Sequence, residues 1–260
     1  IQLTAQSHPK AEAALCMACH TVYHVRFRHK DSTVIEENNG PSRMAARFRG
    51  FYPVVIDVET GGFQSATDAL LEIAAVTLKF DDEGILSPDR CVSFHVQPFE
   101  GANIEQAALD FTGIDPYHPF RDAVTEATAL QEIFTMVRKG LKSAGCNRAV
   151  VVGHNAHFDH GFLKAAVERT EIKRDPFHPF SSFDTATLSA LVFGQTVLAK
   201  TCKIAGIEFD TKAAHSAEYD TMKTAELFCA MVNKYKALGG WVDAVDDDEM
   251  DFLAAMGGLD

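Results

Sequence analysis

The apolar positions of this chain fall into runs of two kinds. Residues 53–58 (Pro-Val-Val-Ile-Asp-Val) and 70–80 (Leu70 to Phe80) are short apolar blocks, and each predicts a strand. A third strand is predicted near 91–97, after the turn residues Asp81-Asp82-Glu83-Gly84. Two hairpin-like links in succession imply an antiparallel meander opening a mixed sheet. Then the period changes. Ala123, Ala127, Leu130, Ile133, Phe134 and Val137 recur at three and four residues, which predicts a helix over about 123–142. Ala149 to Val152 is apolar throughout, as a strand buried on both faces is. Further helices are predicted near 158–170, 184–192, 196–205 and 215–236. The fold class is α/β, a mixed β-sheet flanked by α-helices, in a single domain over 47–241.

Outside that block the periods fail. Residues 1–43 end close to the breaker Glu36-Glu37-Asn38-Asn39-Gly40-Pro41, and Met44 follows directly. They are read as a poorly ordered extension, a translated upstream segment with Met44 as the true start. Residues 242–260 are acidic with Phe252, Leu253 and Met256 interspersed, and are read as a disordered tail, with a short partner-binding motif as the alternative. Within the extension, Cys16-Met17-Ala18-Cys19-His20 has the form of a c-type haem attachment site. Attachment would need export and a haem-enclosing helical domain with a distal ligand. Neither is evident, so the motif is read as chance and no haem is expected.

At 260 residues and 47% hydrophobic, the chain can bury a full core. No window approaches the roughly 18 uninterrupted apolar residues of a membrane span, and no export signal opens the chain, so a soluble, cytoplasmic protein with no membrane partner is expected. The six cysteines are scattered through periodic segments, as reduced core cysteines are, and no disulfide is expected. A net charge of −12 argues against nucleic acid as a partner until it is divided along the chain. Residues 241–260 hold seven acids and no base, whereas 44–240 hold 25 acids and 19 bases. Several of those acids are also candidate metal ligands, so a basic surface is compatible with the composition.

The candidate chemistry starts in the first strand. Val54-Val55-Ile56-Asp57-Val58-Glu59-Thr60-Gly61 ends in two carboxylates one residue apart, which share a strand face. Paired carboxylates repel, and a divalent cation between them relieves that; Mg²⁺ takes such hard oxygen ligands. The plain alternative is solvated charge at a strand end. After the buried strand, Gly153-His154-Asn155-Ala156-His157-Phe158-Asp159 puts Asp159 in the first turn of a helix, where it is either a ligand or an acid favoured by the helix dipole. His215 and Asp220 are five residues apart, about 140° out of phase on a helix, so His215 is placed on the loop before it and Asp220 one turn inside. Four carboxylates suffice for two divalent ions, and histidine titrates near neutrality. That inventory suits in-line phosphoryl displacement.

Asp-x-Glu-Thr-x-Gly at 57–62, His-Asn-Ala-x-Phe-Asp at 154–159 and His-x-x-x-x-Asp at 215–220 resemble, in this order, the three motifs of the DEDD exonucleases of the histidine subtype. Further blocks extend the likeness across 47–241, among them residues 98–103, 113–116, 145–149, 176–180 and 194–198. The resemblance implies a ribonuclease H-like fold and metal-dependent 3′ to 5′ exonuclease activity. The nearest branch trims the 3′ ends of tRNA and other stable RNAs, also acts on single-stranded DNA, and works as a homodimer. By the same resemblance Asp57, Glu59, Asp159 and Asp220 hold two Mg²⁺ ions, or Mn²⁺, and His215 is the general base. Asp184 supports the site or, read alone, caps a helix. Phe63, Phe111, Phe158 and Phe180 stack on bases, with a core role as the plain alternative for each. Arg47, Arg49, Lys142, Arg148, Lys173 and Arg174 match a phosphate-binding patch that serves the opposing subunit; without the family they are solvated charges. At 105–108 the chain reads Glu-Gln-Ala-Ala, a departure from the family's usual glutamate near the stacked bases.

Other readings share parts of this pattern. A proofreading DNA exonuclease or an oligoribonuclease-like enzyme carries the same three motifs. A non-catalytic nucleic-acid-binding module keeps the fold, but loss of catalysis usually removes at least one of the acids, and all are present here.

Overall fold

The first strand lies at the centre of the sheet, and its sequence shows why. The computed structural model describes residues 41–240, and within them β1 (Phe51–Thr60) is buried from Tyr52 to Ile56 between strands on both sides. A run apolar on both faces suits only an interior position. β2 (Leu70–Phe80) pairs antiparallel with β1, and β3 (Leu86–His95) antiparallel with β2. β4 (Arg148–Gly153) runs parallel to β1, and β5 (Phe177–Asp184) parallel to β4, giving the order β3-β2-β1-β4-β5.

Seven helices join these strands among the described residues: α1 (Arg43–Arg47), α2 (Gln106–Thr112), α3 (Glu126–Ser143), α4 (His157–Arg169), α5 (Thr185–Phe193), α6 (Leu198–Ala205) and α7 (Ala217–Ala237). α3 and α4 pack on each other and on the sheet, while α7 lies across β1, β2 and β3 with α5 and α6 against it. The core is continuous from Ile133, Phe134 and Val137 of α3 through Val54 and Ile56 to Phe228 and Val232 of α7.

Three elements were not anticipated. β5 contains Pro179 and a register shift, features tolerated at a sheet edge but hidden from a period-two reading. α1 and α2, of five and seven residues, are too short to show a helical period. The third strand also begins earlier than residue 91, at Leu86, because the Asp81 carboxylate accepts the Ile85 N–H at 2.7 Å and closes the hairpin at once. Its Pro88 is accommodated because β3 is the other edge strand.

Ser42 and Arg43, assigned to the extension on sequence grounds, engage the domain. The Ser42 hydroxyl accepts the Ala45 N–H to cap α1 and donates to the Ala144 carbonyl, and Arg43 donates to the Asp81 carbonyl at 2.6 Å. Cys91, Cys146, Cys202 and Cys229 are free thiols. The Cys16–His20 motif, the rest of the extension and the acidic tail lie outside the described residues. Among the described residues no helix is long and apolar enough to cross a membrane.

Candidate active site

β1 carries Asp57 and Glu59 on one face at its C-terminal end, and the chain then turns through Gly61 and Gly62. A Cβ at Gly62 would lie 2.1 Å from Asp68 Oδ2, so only glycine lets the loop close on that carboxylate. Asp68 is buried and accepts from the Gln64 N–H at 2.9 Å, the Thr67 hydroxyl at 2.9 Å and Asn103 Nδ2 at 3.0 Å. On this braced loop Phe63 is 79% exposed, with its ring 6.1 Å from the half-buried Phe158.

The third acid comes from the β4–α4 turn. Asn155 takes a left-handed conformation, φ +68°, and its N–H donates to Asp184 Oδ1 at 2.9 Å. Asp184 also accepts the Ala186 N–H at 3.1 Å and the Thr187 hydroxyl at 2.7 Å. One carboxylate therefore caps α5 and braces the turn into α4. α4 then delivers Asp159, buried, to accept the Val58 N–H at 3.1 Å.

The last pair comes from α7. The helix starts at Ala217, so His215 precedes it and Asp220 lies in its first turn, as their spacing implied. His215 is also left-handed, φ +69°, and its N–H donates to Asp220 Oδ2 at 3.0 Å. The first N–H of α7, from Ala217, donates to Glu72 Oε2 at 3.2 Å. Glu72 faces Glu59 across the β1–β2 ladder and holds His95 Nδ1 at 2.9 Å with its other oxygen. Sequence reasoning missed Glu72, since nothing within Leu70–Phe80 distinguishes it before the register is known. Ligand atoms of Glu59, His215 and Asp220 all lie within 4.8 Å of one another. The Phe111 ring, 67% exposed, sits 4.3 Å from the His215 ring.

Crowded acids perturb each other. Desolvation, then the charges of Asp159, Glu59 and Asp220, push the Asp57 carboxyl well above the usual range. Glu59 is pushed up to about 8 by desolvation and by Asp220 and Glu72. Asp159 also reaches about 8, chiefly through burial, against the Val58 hydrogen bond that opposes it. Asp220 is raised by burial too. Asp184 differs: burial works to raise it, but hydrogen bonds from Thr187, Asn155 and Ala186 outweigh that and hold it low. Ionised together, these four acids would carry more negative charge than their surroundings neutralise. Asp220 Oδ1 is also buried without a hydrogen-bond partner. An orphaned carboxylate oxygen among hard donors with raised pKa values fits a divalent cation.

Not every expected residue is at this end. Phe63 follows the acid-bearing end of β1, Phe158 directly precedes Asp159 and Phe111 lies against His215, but Phe180 lies on edge strand β5 against His178, at 4.5 Å, and is 81% exposed. Arg148 opens β4 opposite Phe51 at the start of β1; Arg47 and Arg49 precede β1, Lys173 and Arg174 precede β5, and Lys142 closes α3. These cations occupy the starts of the parallel strands, whereas Asp57, Glu59 and Asp184 lie at their ends.

A five-stranded mixed sheet with an acidic centre at the end of its middle strand defines a ribonuclease H-like exonuclease fold. The exonuclease model named RNase_T matches residues 54–228. Ribonuclease T of Hahella chejuensis is 64% identical over 211 residues, 81% of this chain and 97% of that protein. Ribonuclease T of Vibrio cholerae is 63% identical over 214 residues, 82% of this chain and 95% of that protein. The chain belongs to the ribonuclease T family of exonucleases. Among solved structures, Escherichia coli exonuclease I in complex with a dT13 oligonucleotide shares the fold, with a TM-score of 0.55 and 20% identity over 72% of this chain. This chain spans 42% of exonuclease I. A full-length 3′-exonuclease superposes with a TM-score of 0.55 and 18% identity over 70% of this chain and 60% of its own.

Proposed function

We propose that this chain is a divalent-metal-dependent 3′ to 5′ exoribonuclease that trims single-stranded 3′ ends of tRNA and other stable RNAs and also acts on single-stranded DNA. The domain that does so comprises the 47–241 block with Ser42 and α1 packed onto it, and this reading puts it in the cytoplasm. The carrying observation is the meeting of four carboxylates from β1, α4 and α7 with His215 at one end of the sheet. Asp57, Glu59, Asp159 and Asp220 would hold two Mg²⁺ ions, or Mn²⁺, which would supply the charge that lowers the pKa of water and steadies the leaving oxygen. His215, exposed at the rim, takes the proton of the attacking water. Its backbone N–H bond to Asp220 fixes the loop that carries the imidazole. Phe63, backed by Phe158, and Phe111 hold the terminal bases from two sides.

The basic residues support a working homodimer. A patch at the strand starts is at the wrong end of the sheet for its own carboxylates, but suits those of a second copy. Beside it, a groove of about 840 Å³ is lined by Phe48, Phe51, Phe183, Leu191 and Phe228, and also by Phe180 and Arg49. Leu191 is 84% exposed on the single chain, an apolar surface suited to subunit contact.

Polarity of attack tests this reading. A 5′-labelled single-stranded RNA should yield a ladder shortening by one nucleotide at a time, and a 3′-labelled one should release labelled mononucleotide from the first turnover. Internal fragments from both would exclude it.

A further inference from the structure

Two of the most exposed aromatic side chains among the described residues have no place in the site as described so far. Tyr117 is 75% exposed and Phe120 is 84% exposed, both in the loop that follows α2. Both ends of that loop are fixed at the active site. At its start, Phe111 in α2 lies against the His215 ring at 4.3 Å, and Gly113 ends that helix in a left-handed conformation. At its end, Arg121 donates to the Leu71 carbonyl at 2.5 Å and the Val96 carbonyl at 2.9 Å. Leu71 precedes Glu72, the residue facing Glu59, and the Arg121 guanidinium feels the Glu72 charge.

Between those anchors the loop is internally tied. Asp115 accepts the Tyr117 N–H at 3.1 Å through its carboxylate and the His118 N–H at 3.2 Å through its carbonyl. His118 Nδ1 accepts the Phe120 N–H at 3.3 Å, and the two rings sit 5.8 Å apart. Rigid loops with outward aromatic faces lose little freedom when a base stacks on them, and they have no core to fill.

We infer that Tyr117 and Phe120 form a second stacking platform for the bases of a single strand 5′ of the terminal nucleotides held by Phe63 and Phe111. Resting on the exonuclease reading above, the platform makes affinity depend on the length of the single-stranded end. Stacking on aromatic faces tolerates any base, so the platform favours unpaired strands over duplex without selecting a sequence.

The test compares KM for single-stranded RNA of three and of twelve nucleotides. Hydrolysis of the trinucleotide by the unaltered enzyme, measured first, tests the exonuclease reading by itself. In the unaltered enzyme KM should fall as the strand lengthens. In a Tyr117→Ala/Phe120→Ala double variant that gain should shrink about tenfold, the scale of one or two lost stacking contacts. Phe120→Trp, which keeps an aromatic face, should retain the gain. A double variant with the full length dependence would overturn the proposal. So would a Phe120→Trp variant as impaired as alanine, or a double variant that has become monomeric by sedimentation, since the loop would then be shape or subunit contact rather than a base platform.

Discussion

The Val58 N–H donates to Asp159 Oδ1 at 3.1 Å, so the backbone between the first two acids of the site holds the third. Asp57 and Glu59 flank that amide on β1, and Asp159 arrives from the first turn of α4, about one hundred residues later. The bond favours the charged form of Asp159, yet burial raises its pKa to about 8 all the same. The site is therefore held in a costly arrangement of like charges. Such arrangements persist where function requires them.

Removing one charge should separate function from stability. Asp57→Asn keeps the shape of the side chain and removes a carboxylate that burial and four neighbouring acids already disfavour. Turnover should be abolished, while the melting temperature in chelator above pH 8, where the clustered acids ionise, rises by about 2 °C or more. Thermal melts beside activity assays check both; a lower melting temperature would mean the cluster is not strained without metal.

The metal-free protein should weaken as pH rises. Glu59 and Asp159 have folded pKa values of about 8, raised from ordinary carboxylate values of 4.5 and 3.8. Between about 4 and 8 the folded state thus binds more protons than the unfolded chain, and the stabilisation this gives is lost as pH climbs through 8. Melting temperature in EDTA should fall from pH 5 to pH 8. Millimolar Mg²⁺ should flatten the fall, because a bound cation takes the place of the protons. A decline unchanged by Mg²⁺ would count against the metal site.

His215→Ala should lower kcat by roughly 10²- to 10⁴-fold, the usual contribution of a general base, with a smaller effect on KM. Single-turnover rates at saturating substrate are the check. An unchanged rate would assign the proton to another group.

Much of this site was legible before the fold. Asp57 and Glu59 are readable because a strand has period two, and the placing of His215 before α7 followed from its phase against Asp220. Glu72 was not legible: it matters through its pairing across from Glu59 and its bond to Ala217, and register is a long-range property. β5 was missed for a local reason, since Pro179 and the bulge break its pattern. Nor does sequence spacing tell which end of a strand a residue occupies in space. The arginines and Phe180 could be grouped with the substrate, but not with one end of the sheet.

That separation of ends predicts complementation. In the proposed homodimer Asp57→Asn would lack a working centre and Arg148→Ala part of the proposed phosphate patch, so each variant should be impaired. After mixing and subunit exchange, the heterodimer joins the intact centre of one chain to the intact patch of the other. Activity on RNA at moderate salt should exceed the sum of the two variants measured apart, and the Arg148→Ala homodimer should show a shallower salt dependence by about 0.7 in log–log slope. No gain on mixing would put patch and centre in the same subunit.

The most direct measurement is digestion of an RNA duplex with a single-stranded 3′ tail, in Mg²⁺ and in excess chelator. In Mg²⁺ the protein should remove the tail one nucleotide at a time as 5′-monophosphates and stop near the duplex, and chelator should halt it until Mg²⁺ is restored. Cleavage that persists in excess chelator, or that proceeds from the 5′ end, would contradict a metal-dependent 3′ to 5′ exonuclease built on Asp57, Glu59, Asp159, Asp220 and His215.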